Sequence, residues 1–117
     1  MMPARIRYNK VIDLLEQNKS VFCSGMVWNG NLDDLTFIAD SAYDMLIIEM
    51  EHQGFSLNDL RLSLQFLLSR KRIAAQANLQ ADPVPMVRIP PNLRERNQWV
   101  VKQALDTGVY GLVLPHL

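Results

Sequence analysis

Two carboxylates and an imidazole stand together at Glu49-Met50-Glu51-His52, directly after the apolar run Met45-Leu46-Ile47-Ile48. If that run is a strand, alternation puts Glu49 and Glu51 on one side of it before His52 breaks away. Such a set can position the waters of a divalent cation and supply a general base near neutral pH. The plainer alternative is a solvated loop of ordinary polar residues. Arg88, within Val87-Arg88-Ile89-Pro90, is costly to bury unless it meets an anion. That anion is either the carboxylate or keto oxygen of a ligand, or the chain's own Glu49 or Glu51. Asp106 precedes Thr107-Gly108 at a helix end, where a carboxylate is poorly placed against the helix dipole. It reads as a group that orients a histidine or as a simple polar turn. His116, after Pro115, reads mainly as an exposed end residue near the same mouth.

The elements that must position these residues follow from hydrophobic periodicity. Helical spacing covers residues 6–17. An apolar, β-branched and aromatic run at 20–28 predicts a strand, which Asn29-Gly30-Asn31 ends. Asn31 caps a helix over 32–41 whose face is Leu32, Leu35, Ile38 and Ala39. A strand over 43–50 follows. Ser56 caps a helix carrying Leu57, Leu60, Leu64, Leu67 and Leu68, which closes near the cations Arg70, Lys71 and Arg72, as the dipole favours. Residues 74–83 form a loop, and 84–89 the third strand, although Pro85 counts against a central position. Asn92 caps a helix over 93–105 with Trp99, Val100, Gln103 and Ala104 inward. Residues 109–114 form the fourth strand. Apolar strands alternating with helices imply a parallel sheet, either a small doubly wound one or a piece of a barrel. In both, functional groups gather at the C-terminal ends of the strands.

Lysine plus arginine and aspartate plus glutamate balance at 12 each, so the basic surplus that a nucleic-acid footprint needs is missing. No stretch reaches the roughly 18 apolar residues of a membrane span, and the first ten residues lack a signal-peptide core. The single cysteine, Cys23, cannot form an internal disulfide and lies in an apolar run, which predicts a buried inert thiol and a cytoplasmic protein. No glycine-rich phosphate loop or nucleophile elbow follows any strand. The 117 residues can build one domain but fall short of the roughly 250 of a closed eight-stranded barrel.

Three segments in order, 43–52 (Tyr43-Asp44-Met45-Leu46-Ile47-Ile48-Glu49-Met50-Glu51-His52), Val87-Arg88-Ile89-Pro90 and 105–115 (Leu105-Asp106-Thr107-Gly108-Val109-Tyr110-Gly111-Leu112-Val113-Leu114-Pro115), resemble the HpcH/HpaI aldolase and citrate lyase family of class II pyruvate aldolases. The resemblance covers nearly the whole chain. It implies an α/β fold, the N-terminal part of a (β/α)₈ TIM-type barrel, with residues 1–117 as one partial domain cut off after the fourth strand. It further implies a lyase that cleaves 4-hydroxy-2-oxo acids to pyruvate or a related 2-oxo acid, with Mg²⁺, Mn²⁺ or Co²⁺ in the intact enzyme. By this resemblance His52 is the general base or acts through a water on the metal, Asp106 orients it, and Arg88 holds the oxo acid. Glu49 and Glu51 lie near the metal's waters. The family's metal-binding Glu and Asp lie on later strands, so no direct metal ligand is assigned here and this stretch alone is not expected to bind the ion. The chain departs from the family in carrying Glu49 where aspartate is usual, and in a longer stretch over 71–83. The alternative is an inactive half-barrel. Its exposed strand edges and apolar helix faces favour a homo-oligomer.

Overall fold

The structure, a computed structural model, describes residues 6–91 and 96–116. Its elements run α1 (Lys10–Glu16), β1 (Cys23–Trp28), α2 (Leu32–Ala39), β2 (Met45–Glu49), α3 (Leu57–Phe66), α4 (Arg70–Ala75), β3 (Val84–Arg88), α5 (Gln98–Asp106) and β4 (Gly111–Val113). Side-chain oxygens start four of the helices: Asn9 accepts from the amides of Val11 and Ile12, Asn31 from Asp34, Ser56 from Asp59 and Ser69 from Arg72. Each replaces a partner that the first helical amides lack.

The Ser69 cap overturns one expectation. The cluster Arg70-Lys71-Arg72 opens a separate short helix instead of closing α3, because Ser69 takes up a backbone amide that a continuous helix would use. α4 also takes the first two residues of the expected loop over 74–83. At the other end, α5 begins at Gln98 after Asn97. The expected Asn92 cap lies outside the described residues.

All four strands are parallel, in the order β1-β2-β3-β4. Sequential order, with α2, α3 and α5 packed on one face, excludes the doubly wound alternative, which requires a reversal of strand order. The arrangement is that of consecutive units of a barrel wall, with the sheet left open. Val27, Leu46, Ile48, Met50, Val87 and Ile89 form the helix-side face. They pack against Leu35 and Ile38 of α2, Leu60 of α3 and Val100 and Ala104 of α5. Burial of each large side chain contributes roughly 1.5 to 3 kcal/mol. Trp99 and Gln103, expected inward, point away from this core. Trp99 is 52% exposed and sets its ring edge-on to Phe55 at 5.8 Å. Leu68 is likewise outside, at 57% exposure, because α3 ends before it.

The opposite face of the sheet stacks in rows set by register: Cys23, Met45 and Val84; then Met26, Ile47, Met86 and Gly111; then Trp28, Glu49, Arg88 and Val113. Cys23 is exposed here, not buried as expected. The cause is a bulge: the register slips between Cys23 and Met26, where Gly25 takes φ +86°. Plain alternation from buried Val27 would place Cys23 under the helices, and the extra residue turns it to the open face.

Pro85 sits in central β3, again against expectation. In a parallel strand one residue's N–H and C=O point to the same neighbour. Those of Pro85 face β4, where its carbonyl accepts from Tyr110 and the ladder begins only at the next pair, Met86 with Gly111. No ladder donor is lost.

A charge network ties the N-terminal ends of the strands. Lys10 Nζ lies 2.9 Å from both Asp44 and Asp82, and Arg72 reaches Asp82 at 3.0 Å and the carbonyls of Ala39 and Ser41. Asp44 also accepts from the Phe22 amide at 2.9 Å. Burial pushes the Asp44 carboxyl up, but the Phe22 amide, the Lys10 ammonium and the charge of Arg72 outweigh it and hold it below its usual range. For Lys10 burial lowers the value, and Asp44 and Asp82 together more than reverse this. A depressed carboxyl contributes stability that is present above its unfolded value of about 3.9 and is lost as pH falls through the folded value. The raised Lys10 contributes below about 10.4 and loses that contribution as pH rises through its own folded value. Replacing Asp44 with Asn is therefore expected to cost about 1.5 to 3 kcal/mol at neutral pH, the range for hydrogen bonds to charged groups. Urea denaturation across pH 3 to 7 should show a shallower acid decline in the variant than in the parent.

Candidate active site at the strand exits

Register builds the site. Glu49 at the end of β2 is paired with Arg88 at the end of β3, so both side chains rise from the same row of the open face. Arg88 Nη2 bonds to Glu49 Oε2, and Glu49 is 5% exposed. The other oxygen of Glu49 accepts from the backbone amides of Glu51 at 2.5 Å and His52 at 3.4 Å. One carboxylate thus anchors the arginine and shapes the turn that carries the next two polar residues.

The Glu51 side chain is 3% exposed and lies at the centre of the group. Its Oε1 is 3.4 Å from Arg88 Nε and 3.0 Å from His52 Nε2, and its Oε2 is 3.2 Å from His116 Nε2. Glu51 Oε2 and Arg88 Nε are buried without a hydrogen bond of good geometry. The two imidazoles are on the outside, with side-chain exposures of 69% for His52 and 71% for His116. The carboxylates of Glu49 and Glu51 and the guanidinium of Arg88 sum to one net negative charge in a half-buried setting.

Of the residues singled out in the sequence, Glu49, Glu51, His52 and Arg88 come together. Arg88 meets the chain's own carboxylates, the plainer of its two alternatives, although its Nη1 makes none of these contacts. Asp106 does not join them within one chain. It is the last residue of α5, just before the Thr107-Gly108 turn that lines a cavity with Asp82 and Pro83 at the opposite end of the strands. A helix that follows one parallel strand must run back to the start of the next, so its C-terminus is far from the strand exits. Glu51, not Asp106, is the carboxylate beside His52. His116 belongs to the cluster, more than its reading as an end residue implied. The signal was its position one residue beyond Pro115 at the exit of β4, equivalent to that of the polar run after β2. Truncating Glu49 to Ala would leave Arg88 without its nearest anion and two amides without an acceptor. The expected loss of stability is about 3 to 5 kcal/mol, measurable by urea denaturation.

No protein-family model matches the chain. Over 80 residues, 68% of its length, it is 34% identical to a hydroxypyruvate/pyruvate aldolase of Paraburkholderia phytofirmans (strain DSM 17436 / LMG 22146 / PsJN). The chain spans about a quarter of that curated relative, 26% of its length. In fold it is similar to the crystal structure of an HpcH/HpaI aldolase/citrate lyase family protein from Burkholderia cenocepacia J2315, with a TM-score of 0.63 and 24% identity, over 93% of this chain and 38% of that one. Sequence and fold thus lead to the same place, and the chain resembles a portion of the HpcH/HpaI aldolase/citrate lyase family.

Proposed function

We propose that the cluster at the strand exits is part of the site of a metal-dependent pyruvate-type aldolase that cleaves 4-hydroxy-2-oxo acids. The observation that carries this reading is the convergence of Glu49, Glu51, His52 and Arg88 at the C-terminal ends of parallel strands, in a chain similar to a hydroxypyruvate/pyruvate aldolase. Residues 1–117 are proposed to form one partial barrel domain of a cytoplasmic protein, with remaining parts of the site supplied by further strands. Among the described residues no helix is long and apolar enough to cross a membrane.

A divalent cation suits this donor set: the group carries net negative charge, and the buried Oε2 of Glu51 lacks a hydrogen bond, which a water of the cation's shell can donate. When bound, such a cation polarises the 2-oxo group of the substrate. Glu51 Oε1 lies 3.0 Å from Nε2 of His52, so a ring proton on that nitrogen is directed to the carboxylate and the lone pair is on Nδ1. That nitrogen takes the proton of the 4-hydroxyl as the C3–C4 bond breaks and the aldehyde leaves. The electron pair remains on the 2-oxo acid as its enolate, which takes at C3 the proton that His52 received, giving pyruvate and restoring the neutral imidazole. Arg88, held in place by Glu49, presents Nη1 to the carboxylate or keto oxygen of the substrate.

A second reading, an inactive half-barrel that self-associates, is favoured by the open sheet face, where Met26 is 47% and Trp28 62% exposed. The two readings separate in solution. Pyruvate release from a 4-hydroxy-2-oxo acid with Mn²⁺, reduced at least about 100-fold by His52→Ala, supports the aldolase. Absence of turnover, with a mass above the 13.4 kDa of one chain that rises with concentration, supports the assembly.

A further inference from the structure

Glu51, His52 and His116 each place a donor atom so that all three lie within 4.8 Å of one another. Four ligands at 2.0 to 2.1 Å from a tetrahedral ion are roughly 3.4 Å apart. Glu51 Oε1 lies 3.0 Å from His52 Nε2 and its Oε2 3.2 Å from His116 Nε2, so the two oxygens bring both imidazoles to about that spacing from the carboxylate. The carboxylate is the fixed member. Its side chain is 97% buried (3% exposed), and its Oε2 is aimed at the His116 nitrogen with no hydrogen bond to satisfy it. An acceptor left in that state is destabilising, which an ion bound to it would offset. Both imidazoles are at the surface and can rotate about their side-chain bonds to close the set. They also leave coordination positions open to solvent.

We propose that Glu51, His52 and His116 form a binding site for one borderline-soft divalent ion of the Zn²⁺, Co²⁺ or Ni²⁺ class, ligated directly by two imidazole nitrogens and one carboxylate. Two nitrogen donors with one oxygen select this class over Mg²⁺, which demands oxygen ligands in octahedral geometry. The net charge left by Glu49, Glu51 and Arg88 is negative, so the ion enters a favourable field despite the adjacent guanidinium. Occupancy has a chemical consequence for the aldolase reading, on which the site itself does not depend. An ion on Nε2 of His52 fixes the ring proton on Nδ1 and removes the lone pair that the reaction requires. Direct ligation and base catalysis by His52 therefore exclude one another, and the ion is an inhibitor.

The test is calorimetric titration of the full chain with Zn²⁺ and, separately, Mg²⁺, together with the visible absorption of the Co²⁺ form. The expected result is one Zn²⁺ per chain with a Kd on the order of 10 µM or tighter, at least about 100-fold tighter than Mg²⁺. His116→Ala and His52→Ala, both at exposed side chains and so compatible with folding, should each weaken Zn²⁺ binding at least about tenfold. Both should also alter the Co²⁺ spectrum. No stoichiometric Zn²⁺ binding at 100 µM (roughly the weakest affinity that three such ligands should give), or binding that either variant leaves unchanged, overturns the site. Because the readout is binding and not turnover, failure here is distinct from failure of pyruvate release.

Discussion

Parallel pairing of Glu49 with Arg88 across β2 and β3 is the constraint on which the rest of the strand-exit cluster depends. Parallel register places equivalent positions of adjacent strands side by side on the same face, so a carboxylate and a guanidinium 39 residues apart in sequence become neighbours without any loop arranging them. Once Arg88 is neutralised, the second oxygen of Glu49 is free to hold the amides of Glu51 and His52. The turn they share then lowers the Glu51 side chain into the group and keeps the His52 ring outside. A slip of one residue in that pairing would send Arg88 into the helix-side core, where no anion waits.

The two ends of the sheet divide the work. At the N-terminal ends, the Lys10 ammonium and Arg72 guanidinium pair with Asp44 and Asp82 and hold α1 and α4 to the starts of two strands. At the C-terminal ends, charges meet incompletely: one carboxylate oxygen and one guanidinium nitrogen are buried without good hydrogen bonds, and two imidazoles face solvent. Fully satisfied networks rigidify a structure, and strand exits are where parallel α/β folds gather functional groups. The same contrast explains why Asp106 does not act on His52 in this chain: it belongs by topology to the stabilising end.

Local signals marked most of the fold. Asn31 and Ser56 cap the helices that the sequence assigned to them, whereas the caps at Asn9 and Ser69 emerged only in the structure. Apolar runs located β2 and β3 closely, and Leu35, Ile38, Leu60, Val100 and Ala104 lie in the core as periodicity implies. The misreadings share a cause. Cys23 changes face because of a bulge, Trp99 turns outward to meet Phe55, and Pro85 is tolerated because its missing donor points to where β4 has not begun. Each depends on a neighbour distant in sequence.

What the sequence determined by itself was the alternation of apolar strands with capped helices, and the placing of Glu49, Glu51, His52 and Arg88 at strand ends, since period and residue type are local properties. Tertiary structure alone decided the sequential strand order, the burial of Glu51, the entry of His116 into its company and the exile of Asp106. Those outcomes depend on which strand lies beside which and on the direction in which each helix returns. Neither is written in the spacing of residues along a single segment.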